Sequence, residues 1–268
     1  MDLVKRGYFD CFFGQLHYRS INLDTDLPLL IMFHQSPLSS RNYQAILPFL
    51  GENYRVIAID TPGFGQSDLP ATEWEVDDYA MLAPMVADKL GIQKFYLFGR
   101  ATGAVFAFAA GLNFGNRINK LVLHGMPVYT QNERESRLAS FAPPYVINDD
   151  GSHFDWIWSR IHSEYPWINA EMATNFAKDF LDVGPDFASS YRSIWRYDLP
   201  KTYVAAGSNL ACPTLVVGGD ADRISFMHER VTSLLTEAEA LLIKDATDFI
   251  AEQEPASFAA ALSAFLRR

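Results

Sequence analysis

Short apolar runs recur along the chain at 28–33, 55–60, 95–98, 120–123, 213–217 and 240–243. Runs this brief and this uniformly apolar suit strands covered on both faces. The period changes between them. Over 42–50, Ile46, Leu47 and Leu50 share one helical face, with Ser39 or Ser40 as its cap. Residues 77–90 read as an amphipathic helix stopped by Gly91, and further helices are expected after Gly103, over 226–235 and over 255–266. At the front, aromatic stretches on either side of Gly14 within 8–21 predict a β-hairpin.

Strand and helix thus alternate, which predicts an α/β fold with a mostly parallel, doubly wound sheet. The alternation lapses from Pro127 to about Ala206. That segment carries Trp156, Trp158, Trp167 and Trp195, with prolines at 143, 144, 166, 185 and 200. It reads as an inserted helical cap over 127–206, leaving 1–126 and 207–268 as the core.

Composition narrows the partners. The chain has 268 residues, 49% of them hydrophobic and 14% aromatic, enough for one α/β domain with a substantial core. A formal charge of −10 provides no electrostatic footprint for nucleic acid or an anionic membrane, so the expected partner is a small molecule. Cys11 and Cys212 lie far apart and suggest neither a disulfide framework nor a cysteine-rich metal site. No apolar leader or bilayer-length run is read, and a cytoplasmic location is expected. No cofactor is expected.

The candidate chemistry centres on Gly99-Arg100-Ala101-Thr102-Gly103, between the run at 95–98 and the apolar helix that follows. Strand, glycine turn and helix is the arrangement that lifts one side chain onto the rim of a pocket, as in the G-x-S-x-G elbow. The lifted residue here is Ala101, whose methyl group cannot attack a substrate.

Further segments fit the same pattern. His34-Gln35-Ser36-Pro37 stands where H-G-x-P is usual, and Asp60-Thr61-Pro62-Gly63-Phe64-Gly65-Gln66-Ser67-Asp68 forms a tight loop. Gly219-Asp220-Ala221-Asp222 and the stretch from Asp248 to Pro255 lie near the end. In this order the chain resembles the α/β-hydrolase superfamily over nearly its whole length apart from the cap. The resemblance implies that Ala101 occupies the nucleophile position, Asp222 the acid position and Asp248 the base position. It also implies an oxyanion hole from the backbone N–H groups of Ser36 and Thr102. Two of the three triad positions have therefore departed from the family pattern, and serine catalysis lacks both its hydroxyl and its imidazole.

Other residues could carry the chemistry. His34 and His124 follow predicted central strands, so either is a candidate relocated base, with orientation of the oxyanion loop as the structural alternative for His34. Asp222 and Asp248, if adjacent, could not both ionise easily, so one pKa would rise and that group could work as an acid or base near neutrality. Arg100 could hold a substrate carboxylate or pair with one of these aspartates. Gln35 accompanies His34 on the substrate-binding rim, and His153 and Trp156 could face the pocket from the cap. His34, His124, Asp222 and Asp248 lack the short-range spacing of a metal site.

The leading expectation is an enzyme of hydrolase or lyase type, acting on a small apolar or aromatic carbonyl compound without a Ser-His-Asp triad. The alternatives are a hydrolase inactive for want of its nucleophile and a non-catalytic binder of small ligands.

Overall fold

The computed structural model describes residues 3–268. Its strands are β1 (Lys5–Cys11), β2 (Gly14–Ile21), β3 (Leu29–Phe33), β4 (Arg55–Ile59), β5 (Phe95–Arg100), β6 (Ile118–His124), β7 (Thr214–Gly219) and β8 (Glu239–Ile243). Helices of the core are α1 (Leu47–Leu50), α2 (Val76–Ala80), α3 (Leu82–Lys89), α4 (Thr102–Phe114), α10 (Met227–Leu234), α11 (Ile250–Gln253) and α12 (Pro255–Leu266). Between β6 and β7 come α5 (Gln131–Ser140), α6 (Ser152–Glu164), α7 (Ala170–Val183), α8 (Ser189–Arg196) and α9 (Leu199–Ala205), the inserted helical region.

The eight strands form one sheet in the order β1-β2-β4-β3-β5-β6-β7-β8. The hairpin β1–β2 and the β2–β4 pair are antiparallel; every other pair is parallel. From β3 the chain passes first to β4 on one side and later to β5 on the other. The order therefore reverses between β3 and β5, and such a switch point leaves a crevice at the carboxyl ends of the two strands.

Side chains of the central strands alternate between two helix layers. In β3, Leu29, Ile31 and Phe33 join the cluster containing α2, α3 and α4, while Leu30 and Met32 join the one containing α1 and α12. Burial of both faces is what the uniform apolar runs required. α4 is buried along ten of its residues and has apolar side chains all round, as a helix enclosed by protein must.

Two predicted helices are broken by prolines. The helix expected over 42–50 is a 3-10 turn, Ser40–Tyr43, followed by α1, because Pro48 supplies no N–H and starts a new helix near its own position. Ser39 does cap the 3-10 turn, accepting from the Arg41 amide. The helix expected over 77–90 is α2 and α3, which meet at Met81; Pro84 has no N–H to offer the Ala80 carbonyl.

The inserted helices have an apolar cluster of their own, including Ile157, Ile161, Phe176, Phe180 and Phe187, which also takes in Leu38 and Phe249 from core loops. No helix among the described residues is long and apolar enough to cross a membrane.

Candidate active site

β5 ends at Arg100 and α4 begins at Thr102, so Ala101 must turn the chain within one residue. It does so at φ 49° and ψ −112°, a positive φ that an L-residue adopts at a cost of about 1–3 kcal/mol. The turn is held from both sides. The Ala101 N–H donates to the His124 carbonyl at 2.9 Å, and the flanking glycines permit close backbone approach. A Cβ on Gly99 would run into the Gly103 carbonyl, and one on Gly103 would lie 2.5 Å from the His34 carbonyl. Ala101 is half-buried at the end of this turn, beside the β3–β5 switch point.

The Ser36 N–H donates to Thr102 Oγ1 at 2.7 Å, and Thr102 Oγ1 donates in turn to Ser36 Oγ at 3.0 Å. From α8, Ser190 Oγ reaches Ser36 Oγ and Tyr191 Oη donates to the Ser36 carbonyl, both at 2.5 Å. The amide expected to face an oxyanion is thus engaged by the first side chain of α4. The Thr102 N–H itself lies in the first helical turn and has no intrahelical acceptor.

Asp222 and Asp248, from the loops after β7 and β8, are each 6% exposed, and the Asp248 charge bears on Asp222. Burial pushes the Asp222 carboxyl up to about 6, and the neighbouring Asp248 charge adds to the rise. Its Oδ1 accepts from the Ile224 amide at 2.8 Å. Asp248 is also raised by burial, opposed by the charges of Arg100 and Arg223 and by the nearby Tyr165 hydroxyl. Asp248 Oδ1 is buried without a hydrogen-bond partner. Two buried carboxyls whose charges bear on one another do not both ionise easily.

Arg100 is 1% exposed, and its partner is neither aspartate. Nη1 lies 3.4 Å from both oxygens of Glu252, and Cζ lies 4.8 Å from the centre of the Phe249 ring. Strand parity is the reason. Arg100 shares a face with Phe98, toward α11 and α12, where α11 presents Glu252. Burial raises Glu252 to about 7 against the opposing charge of Arg100. Glu252 lies within the end motif, yet nothing in that motif marks it as a partner for Arg100, and the cap residues Tyr165, Ser190 and Tyr191 carry no local signal at all.

The histidines are both buried. His34 Nε2 accepts from the Thr61 N–H at 2.9 Å, so Nδ1 carries the proton and donates to the Gln35 carbonyl at 2.9 Å. These are the surroundings of a loop-orienting residue. Gln35 is buried with Nε2 unpartnered. His124 packs against Phe98 and Phe258 at ring distances of 6.1 and 5.1 Å, with Nδ1 unpartnered. Burial, helped by the Arg100 charge, lowers it to about 3, which suits a neutral core imidazole rather than a base at neutral pH.

His153 and Trp156, expected over the pocket, sit on α6 among other cap rings. His153 is parallel to Tyr145 at 6.4 Å and touches Phe154; Trp156 meets Tyr145 and Phe187. Among the described residues no group of three or more His, Cys, Asp or Glu is placed to hold a metal ion.

Residues 28–255 match the protein family described as alpha/beta hydrolase fold. The chain is 32% identical over 101 residues to a 2-hydroxy-6-oxononadienedioate/2-hydroxy-6-oxononatrienedioate hydrolase of Pseudomonas sp, covering 36% of each protein. It is 28% identical over 157 residues to a non-heme chloroperoxidase of Streptomyces lividans, covering 58% of this chain and 50% of that one. The matched segments thus span about a third and a half of these relatives. Epoxide hydrolase A of Mycobacterium thermoresistibile superposes with a TM-score of 0.80 at 18% identity, over 99% of this chain and 98% of that one.

Proposed function

The chain belongs to the alpha/beta hydrolase fold family, and on that premise we propose that it is an enzyme whose acid–base work is done by the Asp222–Asp248 pair. The observation that carries this reading is the pair itself: two buried carboxyls, one with an unpartnered oxygen, both acted on by the charge of Arg100, the residue before the strained elbow. Residues 127–206 serve as its cap. The aromatic content of that cap favours a small apolar or aromatic carbonyl compound as substrate. The names of the two relatives, a dioate hydrolase and a chloroperoxidase, are consistent with small-molecule chemistry.

In a hydrolytic step, water takes the place of the missing side-chain nucleophile. Its oxygen bonds to the substrate carbonyl carbon while Asp248 accepts its proton. Asp222 passes its own proton to the leaving group as that group's bond to carbon breaks. Return of the proton from Asp248 to Asp222 restores the pair, and one water is consumed. Asp222 is assigned as the proton holder and Asp248 as the base because the Asp248 charge raises Asp222 further, while Arg100 and Arg223 oppose the rise of both carboxyls. The Thr102 N–H, at the start of α4, is the available donor to the developing oxyanion; the Ser36 N–H joins it when the Thr102 hydroxyl yields. A lyase-type proton transfer would use the same groups.

The engaged Ser36 amide favours a second reading, a binding protein that performs no chemistry. Assays of Asp222→Asn and Asp248→Asn on aryl esters and β-diketones separate the two. The enzyme reading expects losses of about 100-fold or more; turnover untouched by both substitutions overturns it, and binding without turnover supports the second reading.

A further inference from the structure

A cavity of about 590 Å³ opens between α7 of the cap and the core segments formed by the loop after β3 and by α11. Neither Ala101, Asp222 nor Asp248 lines it. Its size falls within the range of small-ligand sites, and Phe176, Phe249 and Met172 give it an apolar wall.

The polar groups of this cavity are unevenly satisfied. Four of its carboxamides already use their oxygens: Gln44 accepts from Arg19, Asn169 from the Met172 amide, Asn175 from Lys178 and Gln253 from Thr247. Their NH2 groups make no hydrogen bond among the described residues and are open to solvent at the exposed Gln44, Asn169 and Gln253. Asn42 has the opposite arrangement, since its Nδ2 donates to Glu252 while its Oδ1 is buried and unpartnered. Asp179 and Glu252 are carboxyls already engaged, by Ser39 and Arg41 and by Asn42 and Arg100, and Glu171 adds an exposed carboxylate. The lining cation, Arg41, is occupied, 3.2 Å from Asp179 and 3.3 Å from Asp182.

Each charge class of ligand meets part of this lining badly. An anion would find no unpaired cation on this lining and would face the Glu171 carboxylate. An ammonium ion would find one unpaired carboxylate and would give the four NH2 groups no acceptor. A neutral hydroxyl both donates and accepts, so a set of hydroxyls answers the free NH2 groups and the Glu171 carboxylate together, while the C–H face of the ligand packs on the apolar wall.

We propose that the cavity between α7 and the β3 loop binds a neutral polyhydroxylated ligand of sugar or cyclitol type. This site lies outside the acid–base pair and does not depend on the catalytic reading.

The test is a titration of the full chain, isotopically labelled for NMR, with glucose, maltose and myo-inositol, and with spermidine and citrate as charged controls. At tens of millimolar, at least one polyol should produce saturable shifts in the side-chain amide signals of Gln44, Asn169, Asn175 and Gln253. Asn175→Trp, at a half-buried position on α7, should fill the cavity and weaken that binding at least about tenfold with the fold unchanged. Asp248→Asn should leave it intact, so loss of turnover and loss of polyol binding are read separately. The proposal is overturned if no polyol gives saturable shifts, if Asn175→Trp binds as well as the unaltered chain, or if a charged control binds this cavity in preference.

Discussion

Arg100 Nη1 lies 3.4 Å from both carboxylate oxygens of Glu252 beneath the candidate site. The cation is 1% exposed, and its Nε and Nη2 have no hydrogen-bond partner. Removing the counter-charge leaves a buried guanidinium unpaired, which costs about 3–5 kcal/mol in a fully dry pair. The Glu252 side chain is 18% exposed, so Glu252→Gln belongs at the low end of that range. Urea denaturation at pH 8, where Glu252 is ionised, should show a lowered midpoint with an unchanged slope. An unchanged midpoint would mean that Arg100 does not rely on Glu252.

His124 supplies a pH-dependent prediction. Burial lowers its folded pKa to about 3, from an ordinary value near 6.5 in the unfolded chain. The unfolded state therefore binds the proton first as pH falls, and the stability that neutral His124 contributes is complete above about 6.5 and is lost on acidification toward 3. His124→Leu removes this term while keeping an apolar side chain against Phe98 and Phe258. The variant should lose less stability than the unaltered chain between pH 7 and pH 4, by on the order of 1 kcal/mol per pH unit. Turnover should persist, whereas loss of turnover in a folded His124→Leu protein would restore the imidazole to the chemistry.

The parts of this fold that can be read from the sequence are those governed by local pattern. Runs such as Leu29–Phe33 are apolar at every position because helices cover both sheet faces, and the glycines at 99 and 103 mark where backbone must meet backbone. Ser36 and Thr102 come together, and Asp248 bears on Asp222, because each follows a neighbouring strand at its carboxyl end. The breaks at Pro48 and Pro84 are present in the sequence, but the helical periodicity running through them masks them. The partner of Arg100 depends on strand parity, which the motif around it does not convey: two residues after Phe98, it faces α11 and α12. The contributions of Asp179, Ser190 and Tyr191 are not legible. They arrive from cap helices whose seat over the core is set by contacts more than a hundred residues apart in sequence, such as Ser190 with Ser36 and Asp179 with Ser39.

Thr102 controls the Ser36 amide. Thr102→Val keeps the shape of the side chain and removes its hydroxyl, so the Ser36 N–H, held at 2.7 Å from Thr102 Oγ1, loses its acceptor. A buried donor left without a partner costs about 1–3 kcal/mol, and the melting temperature should fall accordingly. The freed amide then points at nothing in the chain. A ligand presenting a carbonyl or carboxylate oxygen should raise the melting temperature of the variant more than that of the unaltered protein. Equal shifts in the two proteins would show that the amide is not directed at bound ligand.

Ala101 and Asp248 have to be tested together. Ala101→Ser places a hydroxyl at the apex of an elbow that already holds φ 49°, so the backbone needs no rearrangement to present it. A serine hydroxyl is a weak nucleophile without a base to take its proton and return it to the leaving group, and a carboxylate in the base position is a weaker base for that work than an imidazole. Ala101→Ser alone should therefore give no ester hydrolysis above that of the unaltered chain. Combining it with Asp248→His supplies an imidazole beside Asp222, which would then orient that ring as the acid of a triad. The double variant should release p-nitrophenol from p-nitrophenyl acetate in a burst equal to the enzyme concentration, as an acyl-enzyme forms on the introduced hydroxyl. If Ala101→Ser alone shows that burst, Asp248 acts as base toward the introduced hydroxyl as well as toward water, and the imidazole is dispensable. If the folded double variant shows none, the engaged Ser36 amide is the next obstacle, and adding Thr102→Val should produce it.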